Sequence, residues 1–297
     1  MIEIIVPATS ANIGPGFDCL GISLNLYNKF YIEEIDSGLE IYGCEDDFKN
    51  EDNLVYKSMK YFFDNVECDY IPKGIKIGIK SDIPICRGLG SSASCIVAGV
   101  MAANYLSRCN LDKNKLLEIA SNIEGHPDNV APALFGNMII SIVSDGKVHY
   151  DTINIPDELK FCAMIPDFRL STSKSRGVLP KHIPHYDGVF NIGRVSLLIS
   201  SLINKNFDML KLACQDKIHQ NYRGSLIKNY DEVLNYCYDS NCMGVFLSGA
   251  GPTIMSIIKD EDFEFSINID SYLKSLNCNW DVINLKCDNK GALLNIL

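Results

Sequence analysis

The residues of this chain best suited to chemistry form a loop of glycines and hydroxyls. Within residues 82–101, the run Pro84-Ile85-Cys86-Arg87-Gly88-Leu89-Gly90-Ser91-Ser92-Ala93-Ser94 precedes an apolar, small-residue stretch that ends at Met101. Gly88 and Gly90 remove side chains where backbone must come close to something. Ser91, Ser92 and Ser94 place hydroxyls and capping groups at a helix start. The first turn of a helix carries free N–H groups and the positive end of the macrodipole, so such a loop attracts phosphate. A nucleotide held by its phosphates is the expected ligand.

Which nucleotide loop this is depends on spacing. A Walker loop is excluded, because no Gly-Lys-Ser or Gly-Lys-Thr occurs. A dinucleotide-binding turn fits Gly88-Leu89-Gly90-Ser91-Ser92-Ala93 as G-x-G-x-x-A, but that fingerprint follows its strand at once. Here Ser81 to Arg87 intervene, and Asp112, the acid about 20 residues on, sits at a helix start instead of a strand end. A tight turn before a core helix explains the glycines but not the run Ser91-Ser92.

Around this loop lies a chain of 297 residues with a net charge of −10, which argues against nucleic acid as the main partner. ATP needs only a local positive field. The twelve cysteines show no metal spacing, since the nearest pairs, Cys86/Cys95 and Cys237/Cys242, lack a C-x-x-C step. Reduced core thiols are expected. The N-terminus opens into a strand with no basic, apolar leader, and no apolar run is long enough to span a bilayer, so a soluble, cytoplasmic protein is expected.

Several elements must position the loop. Residues 3–7, Leu24/Leu26, Phe30/Ile32 and 39–42 read as strands, and 53–65 as a helix with Val55, Met59, Phe62 and Phe63 at helical spacing. Ile75, Ile77 and Ile79 form a half-buried strand leading into the loop. Helices follow at 91–107 and 112–123, then a break at residues 125–129. Residues 138–143 and 147–153 read as a hairpin around Asp145-Gly146. A boundary falls near Ile155-Pro156-Asp157, dividing residues 1–155 from 156–297. Beyond it come a strand at 161–165, a polar loop at 170–176, and helices at 191–203, 208–219 and 226–237. Strands at 245–248 and 253–258, a helix near Ser271, and strands at 280–285 and 292–297 complete the chain. Strands and helices mix without strict βαβ alternation, so an α+β fold is expected.

Four separated motifs resemble those of the GHMP small-molecule kinases, and together they span the chain. They are Val6-Pro7-Ala8-Thr9-Ser10-Ala11-Asn12-Ile13-Gly14-Pro15-Gly16-Phe17-Asp18, the glycine loop, Glu124-Gly125-His126-Pro127-Asp128-Asn129-Val130-Ala131-Pro132, and Leu247-Ser248-Gly249-Ala250-Gly251-Pro252-Thr253. Cys86 departs from the pattern, standing where the wider superfamily often has glycine. The first and third motifs are most similar to those of the branch acting on L-homoserine. The resemblance implies a GHMP fold: an N-terminal nucleotide-binding half, a ferredoxin-like C-terminal half, and a cleft between them. It also implies ATP and Mg²⁺, phosphorylation of the L-homoserine hydroxyl in threonine biosynthesis, and a homodimer. The alternatives are another GHMP kinase, of mevalonate or sugar type, or a non-catalytic sensor of ATP or amino acid.

Phosphoryl transfer needs positioning, charge neutralisation and a Mg²⁺ bridge, and Mg²⁺ takes oxygen ligands. By resemblance, Ser92 (or Ser91) and Glu124 supply them, with Glu118 a competing carboxylate. The ATP side comprises Asn53, Pro84, Arg87, Gly88, Leu89, Gly90, Ser91, Ser92, Ala93 and Ser94; for Asn53 a plain N-cap is the other reading. A zwitterionic acceptor wants a carboxylate for its ammonium and a guanidinium fork for its carboxylate. Of the six arginines, Arg176 and Arg223 lie in segments that resemble the family's carboxylate sites, whereas Arg108 and Arg169 read as surface and Arg194 as structural. Asn12, Asp18, His126, Asp128, Thr172 and Gly249 complete the acceptor side. Asp128 is expected to bind substrate rather than act as base, with Asn129 near the hydroxyl.

Overall fold

The computed structural model describes residues 1–276 and 278–297. Alternation of Ile2, Ile4 and Val6 turns one face of β1 (Ile2–Ala11) into the core. It pairs antiparallel with β2 (Leu20–Ile35), a single strand of 16 residues where two shorter ones were expected. Then come β3 (Gly38–Tyr42), α1 (Leu54–Asn65), β4 (Gly74–Ser81), α2 (Ser91–Leu106), α3 (Lys113–Glu124), α4 (Pro127–Phe135), β5 (Met138–Ser144) and β6 (Lys147–Ile153). α2 is apolar on every side because the sheet and the helices α1, α3 and α4 surround it, leaving Ala93, Val97 and Val100 fully enclosed.

Helix α4 stands where the sequence reads as a break. Pro127 occupies its first turn, where a missing N–H costs nothing. Pro132 lies inside the helix and would normally disrupt it. Burial of Val130, Ala131, Ala133 and Leu134 against the sheet holds the helix regardless.

The chain then enters β7 (Leu159–Pro166), α5 (Thr172–Gly177), α6 (His185–Ile203), α7 (Leu210–Ala213), α8 (Gln220–Gly224), α9 (Tyr230–Asp239), β8 (Gly244–Leu247), β9 (Ile254–Lys259), α10 (Glu264–Ser275), β10 (Trp280–Leu285) and β11 (Leu293–Ile296). The second sheet runs β10-β7-β9-β8, all antiparallel, which is the ferredoxin-like order for this chain sequence.

Three helices differ from expectation, the first being α6, which starts at His185 instead of at 191. The 208–219 helix stops at Ala213, because the Asp216 carboxylate accepts from the backbone N–H groups of Ile218, His219 and Gln220 and starts a new helix there. The 226–237 helix begins only at Tyr230, after Asn229 in a left-handed conformation. The polar stretch expected as a loop at 170–176 contains α5, whose start Ser171 caps through Lys174 N–H. The change of sheet falls between Ile153 and Leu159, but the division is not clean at the chain end. β11, the last strand of the chain, returns to pair with β1 and completes the edge of the first sheet.

Candidate active site

A cavity of about 590 Å³ opens over the glycine loop. Arg87, Gly88, Gly90, Ser91 and Ser92 line it from the loop, Asn53 and Leu54 from the start of α1, and Gly249 to Gly251 from the second half. The loop leans on that second half: Ser248 Oγ donates to Gly88 O at 2.5 Å and meets Ser10 Oγ at 2.7 Å. A Cβ at Gly88 would lie 2.4 Å from Ser248 O and 2.9 Å from Gly251 O, at φ +78°. Gly88→Ala is therefore expected to cost about 2–4 kcal/mol in a thermal melt and to weaken ATP binding, because backbone on both sides cannot yield. Gly90, at φ +72°, would meet Thr9 Oγ1 at 2.0 Å. Cys86, in place of the family's glycine, adopts φ 55° all the same.

The expected serine caps are absent. Gly90 is the N-cap of α2 and no side chain caps the helix; Ser94 Oγ donates to Ser91 O at 2.8 Å instead. The N–H groups of the first turn thus stay available to a phosphate at the cavity. Buried Asn28 holds this geometry: its Oδ1 accepts from Ile83 N–H at 3.0 Å and its Nδ2 donates to Ser94 Oγ at 2.9 Å.

Of the two competing carboxylates, Glu124 reaches the loop. Ser92 Oγ donates to its Oε2 at 3.2 Å, whereas Glu118 pairs with Lys115 at 2.7 Å. Burial raises the Glu124 pKa above the ordinary carboxylate value, against the opposing pull of His126 and Ser92. Two oxygens this close form a donor set that suits a hard cation such as Mg²⁺.

The residues expected on the acceptor side converge through one carbonyl. Gly249 O accepts from Asn12 Nδ2 at 2.9 Å and from Arg223 Nη1 at 2.8 Å. Asn12 Oδ1 in turn accepts from Asp18 N–H at 3.0 Å. Asp18 receives both arms of the Arg176 fork, at 2.7 and 3.1 Å. Next to them, His126 Nδ1 lies 2.6 Å from Asp128 Oδ1, which also accepts from Asn129 Nδ2 at 3.3 Å. Thr9 Oγ1 donates to Asn129 Oδ1 at 2.8 Å, so the amide of Asn129 has a set orientation. Burial would lower the His126 pKa, but the Asp128 hydrogen bond and charge outweigh it and leave the imidazole with a raised pKa.

Arg223 is 2 % exposed, and among the described residues no carboxylate is in direct contact with it. Its buried Nε has no hydrogen-bond partner. Burial first, and the charge of Arg176 second, bring its pKa down to about 10. A buried cation that lacks an anion is poised to receive one.

Several of the expected ATP residues do not face the cavity. Leu89, Ala93 and Ser94 are buried in the interior, and Pro84 lies outside the lining, so the loop contributes through its backbone and through Arg87, Ser91 and Ser92. Asn53 caps α1 through Val55 N–H at 3.0 Å and also lines the cavity. Thr172 and Gly249 line it too. Arg169 pairs with Glu45, Arg108 lies over Tyr70, and Arg194 stacks on Phe190. Sequence reasoning missed Asn28, Glu45 and Phe48 in the wall, none of which sits in a motif. Thr9 and Phe17 do lie in the opening motif, which was the available signal.

The chain matches the GHMP kinases N terminal domain over residues 53–137 and the GHMP kinases C terminal domain over residues 198–263. A homoserine kinase of Clostridium botulinum (strain ATCC 19397 / Type A) is 53% identical over 295 residues, covering 99% of each chain. The crystal structure of a homoserine kinase from Cytophaga hutchinsonii superimposes with a TM-score of 0.88 at 28% identity, covering 99% of this chain and 97% of that one. A mevalonate kinase of L. major, at 16% identity and a TM-score of 0.71, shares the fold. With its glycine loop, its paired sheets and relatives matched end to end, the chain belongs to the homoserine kinase family of the GHMP kinases.

Proposed function

We propose that this protein transfers the γ-phosphoryl group of ATP to the side-chain hydroxyl of L-homoserine, giving O-phospho-L-homoserine and ADP. The hydroxyl oxygen bonds to the γ-phosphorus as the bond to the β,γ-bridging oxygen breaks, ADP leaves with the electron pair of that bond, and the hydroxyl proton passes to solvent. The observation that carries this reading is the unpaired, buried Arg223 guanidinium beside the Asp18–Arg176 pair. Gly249 links that cluster to the wall of the phosphate cavity. Arg223 and Arg176 take the acceptor's carboxylate, Asp18 and Asn12 its ammonium end, and His126, Asp128 and Asn129 orient the hydroxyl. The loop backbone, with Ser91, Ser92 and Arg87, holds the ATP phosphates. Ser92 and Glu124 are the residues to hold Mg²⁺, which neutralises phosphate charge when bound.

Asp128 serves as a ligand, not a base: a loose transition state makes early removal of the alcohol proton unnecessary. Asp128→Asn is expected to raise the KM for L-homoserine by about tenfold, with a smaller fall in kcat. A fall in kcat alone that vanishes at high pH would show a general base instead. The reading also carries with it a place in threonine biosynthesis, a cytoplasmic location, a homodimer, and residues 1–155 and 156–297 as the two working halves. ADP release measured over a panel of acceptors tests the substrate. L-homoserine must outrun mevalonate and galactose, and a faster rival sinks the assignment.

A further inference from the structure

The ring of Phe17 packs against Arg223, Arg176 and His219. Its centroid lies 5.1 Å from the Arg223 guanidinium carbon and 5.8 Å from that of Arg176. It stacks on His219 with centroids 5.2 Å apart and planes 29° from parallel. His219 is fully buried, and its Nε2 lies 2.8 Å from Gly14 O. A carbonyl only accepts, so Nε2 carries the proton and Nδ1 presents a lone pair. That Nδ1 stands 3.5 Å from Arg223 Nη1, a long contact but a favourable one for a cation. Burial lowers the His219 pKa against the opposing charge of Asp216, and the Arg223 guanidinium facing Nδ1 disfavours a second proton there.

Two like charges therefore share one aromatic ring. Arg176 has Asp18 to offset its charge. Arg223 makes its direct contacts with the Gly249 carbonyl, the His219 ring and the Phe17 face, while the charges of Asp18, Asp128 and Asp216 act on it without touching it. An aromatic face attracts a cation electrostatically, more strongly where water is excluded. We propose that Phe17, backed by the stacked His219 ring, is the positioning residue that holds Arg176 and Arg223 as a single fork for the acceptor's carboxylate. This role rests on the acceptor reading above.

Phe17→Leu keeps apolar bulk and removes the ring. It is expected to raise the KM for L-homoserine roughly fivefold to thirtyfold, two cation–π contacts being lost. The kcat and the KM for ATP stay within about twofold of wild type. Phe17→Tyr and Phe17→Trp, which keep an aromatic face, retain the wild-type KM. The amino alcohol 3-aminopropan-1-ol, which is homoserine without its carboxylate, is turned over equally by wild type and Phe17→Leu. An unchanged KM for L-homoserine in Phe17→Leu overturns the role. So does an equal loss for both acceptors, which marks general damage to the site. A wild type that fails to phosphorylate L-homoserine overturns the acceptor reading itself, and this role with it.

Discussion

Arg223→Met is expected to lower kcat/KM for L-homoserine by a factor on the order of 10²–10³. The KM for ATP should stay near wild type, because Arg223 does not line the cavity over the glycine loop, where the nucleotide is proposed to bind. The reason lies in the state before substrate arrives. The guanidinium is buried, its Nε is unpartnered, and among the described residues its hydrogen-bond partners are neutral. Its removal from the empty protein takes away a desolvated cation without stranding a carboxylate, so stability should hold or rise. A melting temperature at or above that of wild type, together with the kinetic loss, separates a binding defect from unfolding. Arg223→Lys should recover only part of the loss, since a point charge cannot make a planar fork. Equal kcat/KM in wild type and Arg223→Met would remove this residue from the acceptor site.

The other large effect is expected from Glu124→Gln, a fall in kcat on the order of 10²–10³ with a steeper dependence on Mg²⁺ concentration. Gln keeps the shape and still accepts from Ser92, so the loss is one of charge. A pH profile supplies the second readout. Burial sets the folded Glu124 pKa above its unfolded value. On acidification the carboxylate therefore gains its proton sooner than an ordinary glutamate, and wild-type kcat/KM for ATP falls along that limb. Glu124→Gln cannot titrate and lacks the limb. The stability sign runs the other way from the activity. A raised carboxyl pKa favours folding below the unfolded pKa, and that contribution is lost as pH rises through the folded value. At neutral pH the ionised, half-buried Glu124 is a cost that Gln relieves, so the variant should melt no lower than wild type. An active Glu124→Gln with an unshifted Mg²⁺ dependence would take Glu124 out of the cation site.

Local chemistry explains what was legible in the chain. Helix α1, with Val55, Met59 and Phe62 inward, and strand β4, with Ile75 and Ile77 inward, follow from apolar spacing alone. Helix α4 did not, because Pro127 and Pro132 speak against it locally and only packing on the sheet holds it. The helix expected at 208–219 failed for the opposite reason. Its periodicity is intact, but Asp216 competes for the backbone N–H groups of the next turn.

The site divides in the same way. The amino-acid order by itself determined that residues 88–94 make a glycine turn running into a helix start, since glycine and serine act through their own backbone and nearest turn. It also brought forward Glu124 and Asp128 through a motif, and Arg176 and Arg223 through segments that resemble the family's carboxylate sites. Only the tertiary structure decided between Glu124 and Glu118, because that choice depends on which carboxylate crosses 32 residues to reach Ser92. Only the tertiary structure joined Asp18 to Arg176 across 158 residues, turned Ser94 and Ala93 inward, and set Arg223 against the Phe17 ring. A residue's type states which charge or donor it carries. Whether that group meets a partner, a cavity or the core is set by distance and burial, and these exist only once the two sheets have come together.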